Sequence, residues 1–141
     1  MLIPVDVEGF SDMGLTRIAV TVRKLGSKGE ESYTATFLVD TGAVDSLVPA
    51  AELGKLGIEP RRTEMYEMAD GQLEQFDIGF AELTFLGKEV PVQIIFGADD
   101  AEPILGVIAL EQVGFMVDPV AERLKRLPAR SLKAVALKSV A

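Results

Sequence analysis

The chain contains no cysteine and no histidine. Without cysteine there are no disulfides, no thiolate metal sites and no cysteine nucleophile. Without histidine, a Ser-His-Asp triad and the ordinary zinc-hydrolase ligand sets are excluded. Any acid–base chemistry then falls to carboxylates, lysine or tyrosine. Long apolar runs are missing too. None approaches the ~18–20 residues of a membrane helix, so no membrane partner is expected. Met1–Asp6 has no basic start followed by an apolar stretch. No signal peptide is expected, and the chain is read as cytoplasmic. Basic residues are scarce through most of the length. Residues 1–121 hold 8 basic against 21 acidic side chains, whereas residues 122–141 hold 6 against 1. So acidic a body does not displace the counterions of a nucleic acid, and no nucleic-acid partner is expected.

What is present is 141 residues, 48% hydrophobic and 26% charged, with a net charge of −8. That is the composition of one globular domain. We place the domain at residues 1–128 and a basic C-terminal tail at 129–141. Leu132, Val135, Ala136 and Val140 in the tail lie at near-helical spacing. The tail reads as a mobile or locally docked end, or as a basic amphipathic helix.

Short alternating segments broken by Gly and Pro mark a mostly β chain. Ile18, Val20 and Val22 share one strand face. Tyr33, Ala35, Phe37 and Val39 share another, after a polar loop at residues 24–30. A short helix is predicted after Pro49, approached by Ser46 as a cap and ended by Gly57, with Leu53 and Leu56 inward. Asp70-Gly71 suits a tight hairpin turn, and Phe76, Ile78 and Phe80 give the return strand a period of 2. Val90 to Phe96 is a further strand, whose Pro91 points to an edge or a start. Asp99, Asp100 and Glu102 sit in a loop. Val107 to Val113 is a second short helix closed by Gly114. Phe115 to Val117 is a strand, and Val120 to Leu127 a last strand or helix.

The chemistry-bearing segment is Phe37-Leu38-Val39-Asp40-Thr41-Gly42-Ala43. A hydrophobic strand delivers a carboxylate to a turn whose Gly admits unusual backbone angles. A plain reading is a turn Asp that caps its own backbone. Oxygen-ligand metal binding by Asp40 with Asp45, or by Asp99, Asp100 and Glu102, is a second reading. Phosphotransferases of the haloacid-dehalogenase type want a second Asp two residues on, where this chain has Gly42. They also want strands alternating with long helices, which the pattern lacks.

Leu38-Val39-Asp40-Thr41-Gly42-Ala43, a later hairpin around Asp70-Gly71, and Ile104-Leu105-Gly106 before a short helix occur in that order. Gly106 follows Gly42 by 64 residues. This arrangement resembles the retroviral-type, retropepsin-like aspartic proteases over about residues 15–127. The resemblance implies a closed or partly open β-barrel with a flap hairpin and one or two short helices. It implies that Asp40 is the catalytic carboxylate, that Thr41 ties the two active-site loops through its hydroxyl, and that Gly42 offers its carbonyl to substrate. Ala43, the flap tip Met68, Ala69, Asp70, Gly71 and Gln72, and the segment Ile104, Leu105 and Gly106 fall among its substrate-site residues, the last three packing beneath the catalytic loop. Val107 stands where viral members carry Arg or Asn, and Val44 where they often carry Asp. The likeness is therefore closer to bacterial or archaeal members.

The family's chemistry needs two carboxylates around one water, sharing a proton. This chain has a single Asp-Thr/Ser-Gly. The resemblance thus implies a C2 homodimer with Asp40 from each subunit, chain ends paired between subunits, a peptide or protein substrate bound as a strand, and no cofactor and no metal. The alternative is a non-catalytic retropepsin-like dimerisation or peptide-binding module.

Overall fold

In the computed structural model, residues 3–4, 16–28 and 31–129 are described. The tail expected at 129–141 lies outside them from residue 130 on. The elements run β1 (Ile3–Pro4), β2 (Thr16–Arg23), β3 (Tyr33–Val39), β4 (Ser46–Pro49), α1 (Ala50–Lys55), β5 (Arg62–Glu67), β6 (Leu73–Phe85), β7 (Lys88–Gly97), β8 (Ile104–Leu105), α2 (Val107–Gln112), β9 (Phe115–Asp118) and β10 (Arg123–Arg126).

Among the described residues, seven strands form one sheet in the order β2-β3-β8-β4-β7-β6-β5. A further pairing of β2 with β6, Thr21 opposite Thr84, closes six of them into a barrel. Closure leaves β5 outside the ring, paired only to the first half of β6. The β5–β6 hairpin therefore projects as an arm. A second sheet, β1-β10-β9, adds Phe115 and Leu124 to the core.

Period-2 alternation fills the barrel. Ile18, Val20 and Val22 from β2, and Phe37 and Val39 from β3, are buried on one face each. Ala81, Leu83 and Phe85 from β6 and Val90, Val92 and Ile94 from β7 complete the same core. A fully buried Val, Leu or Phe stabilises by roughly 1.5–3 kcal/mol, so this cluster dominates the fold's stability. The period-2 residues of β6 are not its core face. Ile78 is buried, Phe76 is half-buried and Phe80 is 41% exposed, and none of the three joins the main core. The strand runs from the arm into the ring, and its core face is the one carrying Ala81, Leu83 and Phe85.

Pro91 lies in β7 opposite Glu82 of β6, where β4 does not yet flank it, since β4 meets only Ile94–Gly97. The missing N–H of the proline thus costs no ladder bond on that side. α1 forms where expected and ends at Gly57, whose φ is +75°. Its cap is not Ser46, which lies in β4. Asp99 instead accepts a hydrogen bond from the Ala51 N–H, at 3.1 Å. α2 is closed by Gly114 at φ +89°. The segment left open as strand or helix supplies β10. β1 pairs with β10 of the same chain, Ile3 opposite Arg126.

Candidate active site

Asp40 sits one residue past β3, and its position is dictated by β8. β8 runs parallel to β3, with Leu38 opposite Ile104 and Val39 opposite Leu105. The Asp40 N–H continues that ladder by donating to the Leu105 carbonyl at 3.2 Å. The chain then turns. The Ala43 N–H donates to the Asp40 carbonyl at 3.1 Å, and the Gly42 N–H donates to Asp40 Oδ1 at 2.9 Å. The half-exposed carboxylate is thus oriented by its own turn. Oδ2 has no partner among the described residues.

The loop is clamped from below. The first N–H groups of a helix have no partner inside it. In α2 they donate to the loop: Val107 N–H to the Ala43 carbonyl at 2.9 Å, and Ile108 N–H to the Val44 carbonyl at 3.3 Å. The Gly106 N–H donates to the buried Ser46 hydroxyl at 2.9 Å. A Cβ on Gly106 would lie 2.6 Å from the Val44 oxygen and 2.6 Å from the Asp45 carbonyl carbon. Only glycine fits there. Leu105 is fully buried and Gly106 is buried. Grouped by resemblance with substrate-site residues, these two pack beneath the turn. Ile104 is half-buried.

Thr41 and Gly42 are exposed, and Ala43 is half-buried. Among the described residues the Thr41 hydroxyl has no hydrogen-bond partner. A cleft of about 590 Å³ opens beside Asp40 and Thr41, walled by Leu38, Val39, Met116, Val117 and Pro119. On the other side of the loop lies a smaller recess of about 150 Å³ between Val44, Asp45, Gln93 and Ile108.

Met68 to Gln72 form the tip of the arm. The Gly71 N–H donates to the Met68 carbonyl at 2.8 Å, and the Gln72 N–H to Asp70 Oδ1 at 3.0 Å, with Gly71 at φ +84°. The tip is exposed and makes no hydrogen bond to the Asp40 turn among the described residues. The arm meets the loop farther back. Tyr66 Oη donates to Asp45 Oδ2 at 2.7 Å, and Gln93 Nε2 donates to the same oxygen at 3.2 Å. Burial, then the hydrogen bond and charge of Asp45, push the Tyr66 phenol up to about 12. Tyr66 is therefore a neutral donor across the physiological range.

Sequence reasoning missed Ser46 as the partner of Gly106 and Asp45 as the partner of Tyr66. Both contacts are tertiary, and no local spacing encodes them. The acidic loop has protein partners, since Asp99 caps α1 and Glu102 pairs with Arg17 at 3.1 Å. Among the described residues, no group of three or more Asp or Glu is placed to hold a metal ion. Nor is any helix among them long and apolar enough to cross a membrane.

The EIAV protease, solved in complex with the inhibitor HBY-793, superposes with a TM-score of 0.55 at 18% identity, covering 78% of this chain and 95% of that one. A retropepsin-like aspartic protease from Rickettsia conorii superposes with a TM-score of 0.54 at 22% identity, covering 89% and 88%. The chain has the retropepsin-like fold. No family model matches the sequence, and no curated protein matches it. Within the retropepsin-like fold, the parts described above are a barrel, a β-hairpin arm and an Asp-Thr-Gly turn clamped by a Gly-containing strand end.

Proposed function

We propose that the protein is an aspartic endopeptidase that works as a C2 homodimer, with Asp40 of each subunit forming the catalytic pair. The observation that carries the reading is the Asp40 turn itself. A half-exposed carboxylate is oriented by the Gly42 N–H, anchored through Leu105, and left with one oxygen unpartnered. A single such carboxylate is half of the chemistry. Two carboxylates about 3 Å apart share a proton, because two like charges that close do not both ionise cheaply. The ionised member accepts a proton from the water held between them. The protonated member donates to the scissile carbonyl oxygen as the water oxygen attacks the carbonyl carbon. No histidine is required.

A substrate peptide lies extended between the arm and the loop, paired as an added strand. Met68, Ala69, Asp70, Gly71 and Gln72 act as the flap tip, Ala43 and Ile104 lie beside the peptide, and Gly42 offers its carbonyl. The exposed Thr41 hydroxyl, unpartnered in the monomer, meets its counterpart across the two-fold axis. Soluble peptide cleavage without cofactor or metal is expected, and cytoplasmic residence fits the cysteine-free composition.

A second reading is favoured by the apolar surface of the arm. Met65, Met68 and Leu73 are 57%, 38% and 65% exposed. Flexible thioethers suit adaptable contacts, so a dimeric peptide-binding module would use the same arm without chemistry. One set of measurements separates the two. Light scattering over protein concentration reads self-association, and a mixed peptide library with and without pepstatin, from about pH 4 to 7 where carboxylates and their pairs titrate, reads cleavage. The expected result is a dimer whose pepstatin-sensitive activity follows the dimer fraction, with Asp40→Asn folded, dimeric and inactive. Cleavage by Asp40→Asn at the wild-type rate overturns the mechanism. A dimer that binds peptides but cleaves none selects the binding module.

A further inference from the structure

The arm is an exposed element with a narrow attachment. Of residues 62–77, only Tyr66 and Phe76 are less than exposed. The β5–β6 ladder, from Arg62 opposite Ile78 to Glu67 opposite Leu73, holds the arm to itself and not to the loop. An isolated two-stranded hairpin is marginal in water, so whatever docks it fixes its position. Tyr66 does this docking. Its hydroxyl reaches Asp45 on the loop, while its ring meets Phe76 of the same hairpin edge-on at 5.9 Å.

Asp45 is a rigid post. Its backbone is pressed against Gly106, with the Asp45 carbonyl oxygen 2.7 Å from where a Cβ on Gly106 would stand. It lies five residues beyond Asp40 on the same clamped loop. Gln93 locks the arrangement. Its Nε2 donates to Asp45 while its Oε1 accepts from Arg62 Nη2 at the base of the arm. Reversing the amide would set an NH₂ against a guanidinium and an oxygen against a carboxylate, so both charged neighbours enforce one orientation.

We propose that Asp45, Tyr66 and Gln93 form a latch that sets how the arm stands against the loop carrying Asp40. Asp45 and Tyr66 are positioning residues, acting on the arm and not on the reacting atoms. That the arm covers a peptide rests on the proposed endopeptidase, whereas the latch does not. A charge-assisted hydrogen bond between a fixed post and an exposed hairpin is strong enough to bias two arm positions.

The absence of cysteine makes the test direct. Spin labels at Ala69→Cys on the tip and Glu89→Cys on the barrel report the arm's distance from the body. Labelled chain is diluted with unlabelled chain so that each assembly carries one label pair. A single dominant distance is expected for the otherwise wild-type protein. Tyr66→Phe keeps the ring and removes the donor, and a second, displaced distance is expected to gain about tenfold in weight, the size of one ordinary charge-assisted hydrogen bond. Asp45→Ala is expected to do the same, and Asp45→Asn, which keeps an acceptor oxygen, to restore most of the original distance. The double variant Tyr66→Phe with Asp45→Ala is expected to add little to either single change, because both remove one contact. If Asp45→Ala fails to fold, Tyr66→Phe decides alone. An unchanged distance distribution in Tyr66→Phe overturns the latch. With a cleaved peptide in hand, Tyr66→Phe is expected to raise KM several-fold more than it lowers kcat. Absence of cleavage in the unmutated protein sinks the endopeptidase and leaves the distance result standing by itself.

Discussion

The loop that carries Asp40 and the arm that reaches toward it are built on opposite plans. The loop is held by backbone against backbone. Asp40 bonds to Leu105, Ala43 and Val44 receive the first N–H groups of α2, and Gly106 fits beneath with no space for a side chain. The arm is held by its own ladder and by a few side chains on its inner face. Crowded backbone has few arrangements open to it, whereas a side-chain contact on an exposed hairpin opens at the cost of one hydrogen bond. The difference suits the proposed site, in which a carboxylate stays fixed while a peptide enters.

The harshest way to break the contrast is Gly106→Ala. Its methyl group would collide with backbone atoms of Val44 and Asp45, which cannot rotate away. A loss of about 3 kcal/mol or more is expected, at or above the top of the usual overpacking range because backbone and not side chain is displaced, read by denaturant unfolding. A folded variant of wild-type stability would show that the loop has slack. Ser46→Ala is the milder test of the same junction. It strips the buried Gly106 N–H of its acceptor, and about 1–3 kcal/mol should be lost. In both variants the loss is expected to move the Asp40 turn as well as the unfolding midpoint.

The matching change in the arm is Gly71→Ala. Nothing lies within 4 Å of the added methyl, but φ is +84°. The left-handed backbone costs a non-glycine residue about 1 kcal/mol, and the effect should stay in the hairpin. Amide shifts confined to residues 62–77 are expected, with the Asp40 turn unmoved. If Gly71→Ala perturbs the turn as much as Ser46→Ala does, the two regions are not independent.

Much of the loop was legible in the sequence, and little of the arm's docking was. Period-2 alternation in Ile18–Val22 and Tyr33–Val39 is a local property, set by the pleat, and it marks the strands that deliver Asp40. Asp-Thr-Gly and Leu-Gly are short local strings, and the resemblance they carry implied that Gly106 would sit close under the loop. Ser46 shows where local rules mislead. A serine shortly before a helix reads as a cap, but its hydroxyl serves Gly106, 60 residues away. Asp45, Tyr66 and Gln93 come from three separate segments, and only the closed barrel brings them together. The core face of β6 was not legible for a related reason. The strand belongs to the arm at one end and the ring at the other, so a single period does not say which face meets the core.

The smallest expected effect concerns the junction of the two regions, and it is spectroscopic. Tyr66 is raised to about 12, first by burial and then by Asp45. Its folded value thus lies above the ordinary phenol value of 10.0. The sign follows. The contribution of Tyr66 to stability is fully present below pH 10 and fades as pH rises toward 12, where the folded phenol also ionises. Tyr66 is half-buried, so solvent still screens the interaction and the energy involved is small. Phenolate absorbance against pH, with Tyr66→Phe subtracted to isolate this residue from Tyr33, reads the titration. Asp45→Ala should bring the midpoint down while leaving it above an exposed phenol, because burial remains. A midpoint unmoved by Asp45→Ala would mean that burial alone raises Tyr66, and the arm would then rest on packing and not on its hydrogen bond to the loop.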